Sequence, residues 1–69
     1  MEVTINGEKT RLPDAANAEQ LIEQLGLTEQ RLAIEINREI VPRSRFAHHQ
    51  LKPGDQIEIV RAIGGGALS

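Results

Sequence analysis

The residues with most to say about chemistry stand at the end of the chain. Gly64, Gly65 and Gly66 are adjacent there and are followed by Ala67-Leu68-Ser69. Glycine has no Cβ, so such a run can thread a narrow channel and lie close to a bound group. What it can deliver is a chain-terminal carboxylate, a poor electrophile until something activates it. The alternative is a frayed terminus, which is what most Gly-rich ends are. Other candidates are weaker. His48 and His49 are neighbours and point about 100° apart on a helical turn, which is poor geometry for one ion. No carboxylate cluster lies near them in sequence, so no metal site is expected. Ser44, His48 and Asp55 lack the local signature of an activated nucleophile. Arg38, Arg43 and Arg45 read either as ordinary surface charge or as a partner contact beside the tail. The 69 residues include no cysteine. Disulfides, thiolate metal sites and Cys nucleophiles are thereby excluded.

Something must position that tail, and the rest of the chain is short. Its length suits one domain with a modest core. Eight basic residues face ten acidic ones, a net charge of -2. That balance leaves no electrostatic footprint for nucleic acid. Phe46 is the lone aromatic, so bases have no stacking platform. The apolar runs are far too short to span a bilayer. The N-terminus lacks a basic segment and an apolar signal core. A soluble, cytoplasmic protein is expected.

The elements follow from periodicity. Val3 and Ile5 alternate with polar residues, as in a half-buried strand. Asn6-Gly7 fits a type I′ hairpin turn, and Glu8 to Leu12 reads as the returning strand, ended by Pro13. Asn17 and Gln20 have capping-box spacing. A helix over about residues 18–25 follows, with Leu21, Ile22 and Leu25 as its apolar stripe and Gly26 as its stop. Leu32, Ile34 and Ile36 mark a third strand, Asn37-Arg38 a turn, and Glu39 to Val41 a fourth strand closed by Pro42. Ser44 is placed to cap one helical turn that points Phe46 inward. Lys52-Pro53-Gly54-Asp55 is a turn, and Gln56 to Ile63 is the last strand, with Ile57 and Ile59 facing the core.

This order, β-β-α-β-β-β, predicts an α+β fold of the β-grasp (ubiquitin-like) type. A mixed sheet carries one main helix on one face, with the first and last strands adjacent and parallel. The domain covers residues 1–63, and residues 64–69 form a Gly-rich tail expected to be flexible. If Ile57 and Ile59 face inward, Val60 and Ala62 face outward. With Ala33 they either form an apolar patch that marks a partner site or lie scattered and neutral.

The segments Ile36-Asn37-Arg38-Glu39-Ile40-Val41-Pro42-Arg43 and Pro53-Gly54-Asp55-Gln56-Ile57-Glu58-Ile59-Val60, with the closing glycines, resemble the ThiS family. Those proteins are sulfur carriers of thiamine biosynthesis, and the likeness covers nearly the whole chain. The Val41-Pro42-Arg43 element favours them over the similar molybdopterin-synthase small subunit. The resemblance implies a co-substrate, not an enzyme, with no bound cofactor. A ThiF-type enzyme would adenylate the terminal glycine with ATP and Mg²⁺, a sulfur donor would convert it to a thiocarboxylate, and a ThiG-type thiazole synthase would take the sulfur. Gly65 and Gly66 would be the reacting end. Gly64, Val60, Ala62, Ala33 and Arg43 would meet partners. One departure stands out, because such carriers usually end at Gly-Gly and this chain continues to Ser69. Either a protease removes Ala67-Leu68-Ser69, as in some related carriers, or the three residues are an extraneous extension. Two further readings stay open. The sulfur could serve another pathway, such as molybdopterin, cysteine or a secondary metabolite. The chain could also be a non-catalytic β-grasp interaction module like those attached to tRNA synthetases and GTPases.

Overall fold

A computed structural model describes residues 1–61. It contains five strands, β1 (Glu2–Ile5), β2 (Glu8–Arg11), β3 (Leu32–Ile36), β4 (Glu39–Val41) and β5 (Gln56–Arg61). The helix α1 spans Ala18–Gln24, and a short 3₁₀ helix spans Arg43–His48. The sheet order is β2-β1-β5-β3-β4. β1 and β5 are parallel through Thr4–Gln56 and Ile5–Ile57, and the other neighbours are antiparallel. This is the β-grasp arrangement that the element order predicts. The last strand to be made occupies the middle of the sheet, so the tail leaves from the centre and not from an edge.

Local chemistry explains the turns. Asn6 and Gly7 both have positive φ, 50° and 83°, as a type I′ turn requires. Asn37 and Arg38 repeat this at 51° and 70°. The helix begins in a complete capping box. The Asn17 side chain accepts from the Gln20 N–H at 2.8 Å, and the Asn17 N–H donates to the Gln20 side chain at 2.9 Å. It ends in a Schellman motif around Gly26, φ 73°. There the Leu27 N–H reaches the Ile22 carbonyl and the Gly26 N–H reaches that of Glu23, both at 3.0 Å.

α1 covers one sheet face with Ala18, Leu21 and Ile22, against Val3, Ile34 and Ile57 among others. Leu21, Ile34, Ile57 and Val3 are fully buried. Two expectations fail here. Leu25 does not complete the stripe, because it is the C-cap residue and is 38% exposed. The chain turns left-handed at the next residue, which swings Leu25 to the rim. Ser44 caps nothing, since the 3₁₀ helix starts at Arg43 behind Pro42 and has no side-chain cap. The fixed φ of proline already sets that turn. Phe46 is buried, as expected.

Candidate functional site

The site to explain is the point from which the tail departs. It is built by holding β5 on both flanks. On one side, β3 pairs along the whole strand, from Ile36–Ile57 to Leu32–Arg61. On the other side β1 is too short, ending at Ile5, and the Asn6 side chain continues its work. Its Oδ1 accepts from the Ile59 N–H at 2.8 Å, and its Nδ2 donates to the Ile59 carbonyl at 3.3 Å. One amide side chain thus imitates the next peptide group of the missing strand. The start of β5 has a matching clamp from the second hairpin. Asn37 accepts from the Gln56 N–H at 3.0 Å and donates its Nδ2 to Asp55 Oδ1 at 3.0 Å. Asp55 is the one buried polar residue among those described, and its other oxygen takes the Lys52 N–H at 2.9 Å. The carboxylate therefore ties the Lys52-Pro53-Gly54-Asp55 turn to the β3–β4 turn just before β5 begins.

The expected partner patch is partly visible. Ala33 stands directly opposite Val60 on the sheet face turned away from α1. Val60 is 53% exposed and Ala33 half-buried. Ile40 joins them at 72% exposure. Sequence reasoning passed over it, although the inward Val41 beside it places it outward by period 2. Ala62, Gly64, Gly65 and Gly66 lie outside the described residues. Arg43 is engaged within the fold. Its guanidinium donates to the carbonyls of Thr28 (3.2 Å) and Gln30, and lies 5.6 Å from the Phe46 ring centre. It staples the loop after α1 to the 3₁₀ helix, so truncating it would disturb more than a contact surface.

His48 is exposed and His49 half-buried, and no three His, Cys, Asp or Glu side chains gather as a metal site among the described residues. No helix among these residues is long and apolar enough to cross a membrane.

A five-stranded mixed sheet with one main helix on one face and the first and last described strands parallel at its centre defines the β-grasp, ubiquitin-like class. Comparison with known proteins narrows this. The model of the ThiS family matches residues 1–66. The chain is 33% identical over 66 residues to the sulfur carrier protein ThiS of Escherichia coli (strain K12), covering 96% of this chain and 100% of that one. It is 40% identical over 67 residues to a thiazole synthase of Paramagnetospirillum magneticum (strain ATCC 700264 / AMB-1). That match covers 97% of this chain but spans only 21% of the synthase. The crystal structure of the thiamine biosynthesis protein ThiS from Geobacter metallireducens superposes with a TM-score of 0.81 at 28% identity, covering 96% of this chain and 100% of that one. The chain belongs to the ThiS family.

Proposed function

We propose that this chain is the sulfur carrier of a thiazole-forming step in thiamine biosynthesis, and that Gly66 is its reacting end. The observation that carries the reading is the family match, which runs past a clamped central strand into the glycines. β5 is the clamped central strand, described as far as Arg61, and the family match runs on to Gly66. The five residues 62–66 would reach about 17 Å past Arg61 if extended, enough to enter a neighbouring active site.

The chemistry asked of the chain is small. A carboxylate oxygen of Gly66 attacks the α-phosphorus of ATP and expels pyrophosphate, giving an acyl-adenylate. With sulfide as nucleophile, a C–S bond forms at the acyl carbon, the C–O bond to AMP breaks, and a thiocarboxylate remains. Catalytic groups, ATP and Mg²⁺ belong to a ThiF-type adenylating enzyme. The carrier supplies a fixed root, a reach and a profile without Cβ atoms. A ThiG-type synthase then takes the sulfur. Support for that acceptor comes from the P. magneticum thiazole synthase, which contains a segment like this chain. A segment similar to this chain and a thiazole synthase thus share one polypeptide there.

The proposal requires Ala67-Leu68-Ser69 to be absent from the reacting form. Those residues displace the terminal carboxylate by up to about 10 Å when extended, whereas reacting atoms must approach to about 3–3.5 Å. Forms ending at Gly66 and at Ser69 are each mixed with ATP, Mg²⁺ and the cognate adenylating enzyme, without protease. Pyrophosphate release and intact mass are followed. Reaction of the Gly66 form alone is expected. Equal rates for both forms would show that Gly66 is not the reacting residue.

A further inference from the structure

The 3₁₀ helix and the turn after it carry charge of one sign. Residues 40–54 hold Arg43, Arg45, Lys52 and both histidines, and all ten acidic residues lie outside that stretch. The net charge of -2 therefore hides one cationic segment. Helical period sorts its side chains, because residues i and i+3 of a 3₁₀ helix stand on one face. Arg43 and Phe46 share the row that serves the fold, with the ring buried and the guanidinium 5.6 Å from its centre. Arg45 and His48 share another row, and both are exposed. The chain leaves the helix at His49, its C-cap residue, and all three side chains border one concavity of about 220 Å³. No carboxylate among the described residues borders it.

These side chains have no other task on the page. Among the described residues, none of the three makes a side-chain hydrogen bond or an ion pair. The backbone beneath them is nevertheless fixed. Asn17 Nδ2 donates to the Ala47 carbonyl at 3.2 Å, and the Ala18 N–H donates to that of His49 at 3.0 Å, so the start of α1 holds the end of the 3₁₀ helix. Donors on a held backbone lose less freedom when a ligand arrives. His49 also borders a second concavity with Glu39, Lys52 and Asp55. Asp55 is already taken there by the Asn37 amide and the Lys52 N–H, and the Lys52 ammonium balances Glu39.

The donor set selects a ligand class. A guanidinium offers parallel N–H groups that match two oxygens of one tetrahedral anion, and each imidazole adds an N–H. A metal cation would meet the permanent charge of the arginine. We infer that Arg45, His48 and His49 form a binding site for a phosphate-type oxyanion. The inference goes beyond the carrier reading and does not depend on it. The site lies toward the start of β5, beside the Lys52–Asp55 turn, whereas Arg61 is at the other end of that strand. An anion held here leaves the glycine end unobstructed.

The test uses the whole chain, labelled with ¹⁵N, at fixed pH and an ionic strength of about 0.15 M, where the screening length is about 8 Å. Sodium phosphate, pyrophosphate and AMP are titrated in separate experiments, and backbone and side-chain N–H signals are followed. Saturating shifts centred on Arg45, His48 and His49 are expected, with a dissociation constant on the order of 1 mM for phosphate. Arg45→Gln/His48→Gln should weaken binding about tenfold, and Arg45→Lys, which keeps the charge and loses the fork, about threefold. Lys9→Gln on β2 is the control and should change nothing. Both altered side chains of the double variant are exposed, so its melting should match wild type and separate lost binding from lost fold. AMP should bind no more tightly than phosphate. A response to AMP with none to phosphate would mean recognition of the nucleoside and overturns the inference. Unsaturable shifts spread over all the basic residues, or wild-type affinity in the double variant, overturn it too.

Discussion

Replacing Asn6 by glycine removes a side chain from the surface and should still loosen the strand that launches the tail. Asn6 sits at φ 50°, a conformation glycine adopts freely, so the turn itself survives. What is lost is the pair of hydrogen bonds to Ile59, at 2.8 and 3.3 Å. A net contribution of about 1 kcal/mol for the short bond and about 0.5 kcal/mol for the long one gives roughly 1–2 kcal/mol. Glycine's greater freedom in the unfolded chain and the relief of left-handed strain are of similar size and opposite sign. A domain of this length has about 3–10 kcal/mol in total, so the loss is large, and Tm should fall by roughly 5–15 °C. Urea titration should show a lower midpoint with an unchanged slope. Hydrogen exchange locates the effect, because the Ile59 N–H is the donor to Asn6 and should lose protection well beyond the global change seen at Ile34. Asn6→Ala should be worse by about 1–2 kcal/mol, since it loses the same bonds and retains the left-handed strain. An Asn6→Gly protein with the wild-type midpoint and a protected Ile59 amide would refute the clamp.

Other substitutions test the remaining parts. Leu21→Ala removes a fully buried side chain and should cost about 2–5 kcal/mol, whereas Leu25→Ala, 38% exposed at the rim, should cost about 1 kcal/mol or less in the same urea titration. Asp55→Asn turns one acceptor oxygen into a donor that meets either the Lys52 N–H or the Asn37 amide, and should cost about 1–3 kcal/mol by thermal melting. Val60→Asp should leave melting close to wild type and weaken binding to the adenylating enzyme, because it sets an unpaired charge in an apolar contact. Wild-type affinity in a titration would remove Val60 from the docking surface.

What the sequence showed and what it hid divide along contact distance in the chain. Asn6-Gly7, Asn37-Arg38 and the Asn17–Gln20 box are local devices, written within two to four residues, and each stands where its residues predict. Leu25 was misread because helical spacing continues on paper past the point where Gly26 turns the chain. Ser44 was misread because Pro42 had already fixed the same turn. The second duty of both turn asparagines was not legible at all. Asn6 reaches Ile59 across 53 residues, and Asn37 reaches Gln56 across 19. Which strand lies beside a turn is a property of topology, and no local pattern encodes it. Asn at the first turn position was the one available signal, and positive φ already accounts for that choice.

On the outer face, period 2 made Ala33 and Val60 legible in the sequence and left Ile40 unread. A single α1 covers one face of a five-stranded sheet, and no helix among the described residues covers the other face. Residues on the open face are therefore free of packing demands. Stability and solubility alone would fill it with threonine and with charges of alternating sign. Instead Ile40 and Val60 stand in water and Glu35 faces Glu58. Each choice costs the isolated domain something, and Val60 and Glu58 lie on the strand that precedes the glycines, with Glu35 on β3 beside it and Ile40 on β4 beyond. On the proposed reading the groups that activate Gly66 are sought on the partner, and what this chain's described residues contribute is a central strand held on both flanks.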